Sequence, residues 1–229
     1  MTMLKRMMMG VSKDSCPDGD TLLLIESNDS DGATSFTDIS SYAHTVTVAN
    51  QTQHDTAQKK FGASSILFDG SGDALTLADN ALWDLAGDFT IDFWMRTGGA
   101  PGIMNRALNS TASNITFNAW LGGAGAQLSF YFFTGSTSII LNGGANLNNS
   151  AWYHIAAVRS GSSFFSFING VAHDTATSAG VLNTPSAPVT IGKAIVNGSG
   201  DFNGHMDEIR FSNTARWTGA FTPDTSPYC

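Results

Sequence analysis

The chain has 229 residues, of which 42% are hydrophobic and only 13% are charged, and its formal net charge is −8. This length suffices for a well-buried core, and an aromatic share of 10% with so little charge excludes an intrinsically disordered chain. An acidic chain lacks the excess of lysine and arginine that a phosphate backbone requires, so we expect no nucleic-acid partner.

Residues 1–19 are predicted to form an arm, because they show no hydrophobic periodicity and end in the turn-forming "CPDGD". The arm carries two cations and then three methionines: Lys5, Arg6, Met7, Met8 and Met9. Its apolar run is shorter than the roughly 7–15 residues of a signal peptide, and no run reaches the roughly 18 of a membrane helix. We therefore expect neither Sec export nor membrane insertion, and we interpret the arm as an assembly element that docks on another subunit.

From Thr21 onwards, short apolar or alternating segments separated by glycine-rich turns predict β-strands. In chain order they are "TLLLI", "SSILFDG", "DALTLAD", "DFTIDFWMRT", "NITFNAWL", "AQLSFYFFTG", "TSIILNGG", "AWYHIAAVRSG", "SFFSFINGVAHD", "APVTIGKAI" and "HMDEIRFS". Asn169-Gly170 is a strong hairpin signal between two such runs. The sole helix candidate, "DNALWDLAG", has room for one or two turns.

The segment "DFTIDFWMRT" has the clearest alternation, and it predicts how the strands pack. One face carries apolar side chains: Phe89, Ile91, Phe93 and Met95. The other face carries Thr90, Asp92, Trp94 and Arg96. Many short strands with glycine-rich turns predict a sandwich or a barrel in a single domain, residues 20–229, and two facing sheets would bury this apolar face.

Six segments in a fixed order give the chain a family resemblance: "KFGASSILFDGSGDALTLAD", "LAGDFTIDFWMRT", "AWYHIAAVRSG", "FSFINGV", "VTIGKA" and "FNGHMDEIRFSNTARW". The chain resembles the laminin G-like branch of the concanavalin A-like lectin/glucanase superfamily. The resemblance implies an all-β jelly-roll and a role in extracellular recognition or adhesion, although some relatives hydrolyse glycosides. The "KFG" before "FDG" and the "ARW…FTPD" ending resemble modules of phage virion proteins.

Glycoside hydrolysis needs two carboxylates flanking one bond. The glutamates are Glu26 and Glu208, and neither lies in the Glu-x-Asp-x-x-Glu pattern of the glucanase relatives. Regular alternation would also send Asp207 and Glu208 to opposite faces of a strand. We therefore predict no catalytic residues, and a divergent glycosidase is kept as an alternative.

Asp207 is the candidate metal ligand. Regular alternation in "HMDEIRFS" places Asp207 with Ile209 and Phe211 on one face, and Glu208 with Arg210 as a solvent-facing pair on the other. A carboxylate on an apolar face must bind a metal, a hydrogen-bond donor or a cation. The sequence alone leaves two alternatives, a structural calcium ion (Ca²⁺) and turn N–H groups or a cation. The family resemblance adds a calcium-binding aspartate of the glucanases at a similar position.

Trp94, beside Asp92 and Arg96, is the candidate aromatic platform for a glycan or receptor, because it lies opposite the apolar stripe. The alternative is that Trp94 packs against other residues of the protein. Three further tryptophans are predicted to lie in the core and one to pin the C-terminal segment: Trp83, Trp120 and Trp152, then Trp217.

The two cysteines, Cys16 and Cys229, are far apart in sequence. They are either free thiols or a disulfide, and a disulfide requires the two regions to meet in space.

A fold that resembles extracellular modules, without an expected export signal, suggests a protein that leaves the cell by lysis. The leading hypothesis is a non-enzymatic structural or host-contact protein of a phage virion, such as a tail, fibre or head-decoration subunit. It would assemble in the host cytoplasm as a homo-oligomer with other virion subunits, and after release it would contact a host surface glycan. A free carbohydrate-binding lectin is the alternative.

Overall fold

The computed structural model describes residues 16–99, 102–123, 125–144, 146–195 and 200–229. These residues form fifteen strands and two short 3-10 helices, Ala81–Asp84 and Ala112–Asn114. The strands are β1 Thr21–Ile25, β2 Val46–Ala49, β3 Gln53–Asp55, β4 Ser65–Asp69, β5 Ala74–Leu77, β6 Phe89–Thr97, β7 Gly102–Ala107, β8 Ile115–Gly122, β9 Gln127–Phe133, β10 Ser138–Gly143, β11 Tyr153–Ser160, β12 Ser163–Ile168, β13 Val171–Thr177, β14 Val189–Ile191 and β15 Asn203–Ser212. The arm residues Lys5 to Met9 lie outside the described residues.

The strands build two antiparallel sheets. The eight-stranded sheet has the order β13-β12-β11-β6-β15-β4-β3, with β1 also paired to β15. The seven-stranded sheet has the order β10-β9-β8-β7-β14-β5-β2. Neighbours in space are often distant in sequence, as β6 and β15 are, which is typical of a sandwich. The predicted all-β two-sheet sandwich is confirmed.

The core lies between the two sheets. The predicted stripe of Phe89, Ile91, Phe93 and Met95 is fully buried in it, and Trp83 is buried as predicted. Each such large side chain stabilises the fold by about 1.5–3 kcal/mol relative to an exposed position. The alternation of β6 therefore fixes which face of the eight-stranded sheet is the inner one.

Local signals predicted most elements. Asn169 and Gly170 form the turn between β12 and β13 with φ of 50° and 76°, as the Asn-Gly pair predicts. The helix candidate is a single turn, Ala81–Asp84. Three strands were missed: β2, β3 and β7. The first two have only four and three residues, and β7 mixes glycine, asparagine and arginine with its apolar residues, so it shows no period-two pattern.

Cys16 and Cys229 are joined by a disulfide, with their Cα atoms 5.5 Å apart. The bridge joins the segment before β1 to the end of the chain, a sequence separation of 213 residues. This fixes both regions on the same side of the eight-stranded sheet, because β1 pairs with β15.

No helix among the described residues has the length and apolar character needed to cross a bilayer.

We expect loss of the disulfide to cost roughly 2–5 kcal/mol of unfolding free energy, since it closes a loop of 213 residues in the unfolded chain. The measurement is urea unfolding of the wild type with and without dithiothreitol, beside the double variant Cys16→Ser/Cys229→Ser. The variant should have the same urea midpoint as the reduced wild type, and dithiothreitol should not change it. The account would be contradicted if thiol titration shows that the wild type is fully reduced and its urea midpoint is nevertheless unchanged.

Candidate functional site

The outer face of the eight-stranded sheet is covered by residues 213–229, here called the C-terminal segment. Trp217 and Phe221 stack on each other with ring centroids 3.9 Å apart, and they pack on a second apolar cluster formed by Ala156, Val158 and Phe167. The Phe221 N–H donates to the carbonyl of Gly170 at 2.9 Å. The protein's own chain therefore occupies this face.

The C-terminal segment is fastened to the sheet through Asp92, which is fully buried. Arg210 donates to both carboxylate oxygens, at 3.1 and 2.9 Å, and the Tyr228 hydroxyl donates at 2.6 Å. His154 Nε2 lies 3.0 Å from the Tyr228 oxygen and 3.4 Å from Asp92. Burial acts to raise the pKa of Asp92, but Arg210 and His154 outweigh it and hold the pKa below its usual value. Burial beside Asp92 raises the pKa of Tyr228.

The prediction that Trp94, Asp92 and Arg96 form an exposed platform is wrong. Trp94 is only 6% exposed and Asp92 is 0% exposed. The Lys60 ammonium lies 3.8 Å from the Trp94 ring centroid, and Phe61 packs edge-on against the same ring. Trp94 does lie opposite the apolar stripe, but the loop before β4 and the C-terminal segment cover that side. The alternative, packing within the protein, is the observed one.

A β-bulge in β15 overturns the predicted alternation around Asp207. Asp207 stands opposite Trp94 and Arg210 opposite Asp92, so the bulge adds one residue to β15 between them. Glu208, at φ 52°, has the left-handed backbone that this extra residue requires. The side chains that enter the core are Met206, Ile209 and Phe211.

Two predictions are therefore wrong. Asp207 does not share a face with Ile209 and Phe211. Glu208 and Arg210 are not a solvent-facing pair, because they are only 1% and 8% exposed and Arg210 binds Asp92 instead.

Asp207 is held by backbone donors. Its carboxylate oxygens accept the N–H groups of Phe61 at 3.2 Å and Glu208 at 3.0 Å. Burial nevertheless raises its pKa to about 7. A calcium ion needs oxygen ligands around it, and N–H donors facing the carboxylate do not supply them. The described residues contain no group of three or more His, Cys, Asp or Glu side chains suited to a metal. The surroundings of Asp207 therefore fit the hydrogen-bond alternative rather than a calcium ion.

Glu208 binds the end of the C-terminal segment. Its Oε2 accepts the N–H of Tyr228 at 2.7 Å, while Glu26 accepts the N–H of Cys229 at 2.9 Å. Burial raises the pKa of Glu208 to about 8, against the effect of the Tyr228 N–H, and the negative charges of Glu26 and Asp207 add to the rise. Asp207 and Glu208 are thus neighbours on the outer side of the sheet, but the chain itself covers them.

The outer face of the seven-stranded sheet is different, because a continuous row of uncharged side chains crosses it from edge to edge. Backbone pairing places one residue of every strand in this row: Thr47, Thr76, Thr190, Asn105, Asn118, Tyr131 and Ile140. Their strand neighbours point into the core. The row therefore combines hydroxyl, amide and aromatic groups, and we call it the polar row.

Aromatic side chains flank the polar row. Trp120 is half-buried on β8, between the core residues Ala119 and Leu121, so it points outward. Tyr131 and Phe133 are also half-buried, and their rings stack at 6.4 Å with an interplanar angle of 7°. Ser129, opposite Trp120, is 7% exposed, and its hydroxyl donates to Oδ1 of Asn142 at 2.8 Å. This face is amphipathic, with flat rings beside hydrogen-bonding groups.

The loop after β14 borders the polar row. Asn105 donates from Nδ2 to the carbonyl of Lys193 at 3.0 Å, and Asn118 Oδ1 accepts the N–H of Ile195 at 2.9 Å. The Nδ2 of Asn118 is buried and has no hydrogen-bond partner among the described residues. Because Asn105 and Asn118 are only 5% and 0% exposed, this loop covers the middle of the polar row, and their amides are out of a ligand's reach.

The prediction that Trp120 lies in the core is wrong, and the polar row was missed. The signal was present in "NITFNAWL", where Phe117, Ala119 and Leu121 alternate with Asn118 and Trp120. Trp120 was assigned to the core because tryptophan is hydrophobic. The alternation by itself places Asn118 and Trp120 together on the outer face.

Residues 69–218 match the family described as the Concanavalin A-like lectin/glucanases superfamily, in its laminin G-like form. The chain belongs to this superfamily. The match covers well over half of the sequence and includes both sheets. No curated protein matches the chain significantly.

Solved structures show the same fold at low sequence identity. The binding domain of Paraclostridial Mosquitocidal Protein 1 superposes with a TM-score of 0.65 at 15% identity, over 86% of this chain and 49% of that one. The binding domain of Botulinum Neurotoxin DC, solved in complex with SialylT, gives 0.64 at 14% identity, over 86% and 48%. Botulinum neurotoxin type C, which depends on two ganglioside molecules to enter cells, gives 0.65 at 15%, over 86% and 48%. The chain spans about half the length of these proteins.

We expect stability to fall as pH rises, because folded Glu208 keeps its proton up to about pH 8 whereas the unfolded chain releases it near pH 4.5. Between these values Glu208 alone lowers the unfolding free energy by at most about 1.4 kcal/mol per pH unit, and above them its contribution levels off. Glu208→Gln, which mimics the protonated acid, should reduce the fall in melting temperature between pH 5 and pH 8.

Asp224→Asn is the matched control, since Asp224 is exposed on the same C-terminal segment. It should keep the wild-type pH profile. If Glu208→Gln also keeps it, then Glu208 is ionised in the folded protein and the assignment fails.

Proposed function

We propose that this protein is a non-enzymatic carbohydrate-binding module for host contact, and that glycan binds on the outer face of the seven-stranded sheet. The observation that carries the proposal is the asymmetry between the two outer faces. The C-terminal segment seals one with Trp217, Phe221 and Tyr228. The other leaves Trp120, Tyr131, Ile140 and Asn142 accessible on β8, β9 and β10.

The chemistry of that face suits a sugar. A pyranose ring has an apolar face that stacks on an aromatic side chain and hydroxyl groups that need both donors and acceptors. Trp120 and Tyr131 offer the rings, and the amide of Asn142 offers donor and acceptor in one group. Asn142 on β10 is exposed beside them.

The positions of the carboxylates support a binding role rather than hydrolysis. Asp207 and Glu208 lie beneath the C-terminal segment, where a glycosidic bond has no access. The described outward side chains of the seven-stranded sheet include no carboxylate. A pair flanking a substrate is what a glycosidase needs.

The finer part of the proposal is that the module belongs to a phage virion, as a tail, fibre or head-decoration subunit. Its support is the sequence resemblance of the "KFG" and "ARW…FTPD" segments to virion modules. The disulfide Cys16–Cys229 suits a protein that works outside the cell, where such bonds persist. The same bond equally suits a free lectin. A mass-spectrometric inventory of purified virions separates the two, because only a virion subunit is present in them.

Trp120→Ala and Tyr131→Ala should each lower glycan affinity about tenfold or more, since loss of an aromatic contact in a binding site commonly costs over 1 kcal/mol. The measurement is calorimetric titration with the strongest ligand found on a glycan array. Tyr42→Ala is the control, because Tyr42 is an aromatic residue 44% exposed outside both sheets. Unchanged affinity in both variants, with unchanged melting temperatures, would overturn the assignment of this face.

A further inference from the structure

The seven-stranded sheet is almost free of charge. Its seven strands contain one charged residue, Arg106 on β7. The Arg106 side chain is 2% exposed, and its guanidinium lies 3.1 Å from Asp79 and 2.8 Å from Asp84. The only cation on these strands is thus buried and neutralised, and it offers nothing to a ligand on the outer face.

The charged side chains at the margins of the face also have partners within the protein. Lys193, in the loop after β14, lies 3.8 Å from the carboxylate of Asp201. At the β10 edge, Asp174 accepts the N–H of Asn142 at 2.9 Å. The described margins therefore present a compensated cation on one side and a carboxylate on the other.

We infer that the glycan bound by this face is electrically neutral, an oligosaccharide without sialic acid, uronic acid or sulfate at the contact. This inference rests on the proposed function and narrows its ligand class. A carboxylate leaving water needs a cation or several donors to replace its hydration, but the polar row contains no cation and its two amides, Asn105 and Asn118, are buried. The net charge of −8 adds a long-range repulsion against anions.

The inference separates this protein from its structural neighbours. Gangliosides carry the carboxylate of sialic acid, and botulinum neurotoxin type C depends on two ganglioside molecules. Two proteins that share this sandwich at 15% identity do not thereby share a ligand, because the outward side chains of a strand vary without altering the core.

The test uses the full chain on an array of matched pairs, each a neutral oligosaccharide printed beside its sialylated or uronic-acid counterpart, followed by titration of the best pair. We expect the neutral member to bind about tenfold or more tightly. We also expect its affinity to change by less than about twofold between 50 and 500 mM NaCl, since salt screens only charged contacts.

A gain-of-charge variant sharpens the test. Ile140 is 48% exposed and stands beside Tyr131 in the polar row. Ile140→Lys should improve binding of the sialylated member several-fold at low salt, whereas Ile140→Gln, the uncharged control of similar length, should not.

The outcomes distinguish the two proposals. Stronger, salt-dependent binding of the acidic member that Trp120→Ala abolishes would overturn the neutral-ligand inference and leave the binding face intact. Binding that both Trp120→Ala and Tyr131→Ala leave unchanged would overturn the proposed face. An array without any bound glycan would overturn both.

Discussion

The buried carboxylate of Asp92 constrains the outer side of the eight-stranded sheet. A charge with 0% exposure must be paired, and its partners come from distant parts of the chain: Arg210 from the neighbouring strand and Tyr228 from the C-terminal segment. Removing Arg210 would leave a desolvated charge, at a cost of roughly 3–5 kcal/mol. Glu208 and the disulfide to Cys16 fasten the same segment at its end, so it is part of the fold.

The asymmetry of the sandwich follows from that constraint. A strand that is apolar on one face exposes its other face unless something covers it. On β6 the other face is covered, and Trp94 and Asp92 serve stability. On β8, β9 and β10 the outward residues Trp120, Tyr131 and Asn142 form an amphipathic surface instead. The functional proposal therefore depends on which face the C-terminal segment occupies.

Local sequence patterns predicted twelve of the fifteen strands, the Asn169-Gly170 hairpin and the inner face of β6, because each depends on neighbours within a few residues. They failed for Asp207, since a bulge at Glu208 shifts the alternation and only the pairing with β6 reveals it. They also failed for Trp94, which is covered by Lys60 and Phe61, more than 30 residues earlier in the chain. The polar row needed the strand order β7-β8-β9, which no local pattern encodes.

The central claim is that glycan binds on the seven-stranded sheet because the eight-stranded sheet is closed. Its most direct test is an NMR titration of the ¹⁵N-labelled protein with the best neutral glycan from the array. The account predicts that the largest shifts occur at the indole N–H of Trp120 and at the side-chain amide of Asn142. Largest shifts at the indole of Trp217 and at backbone amides of the C-terminal segment would contradict it.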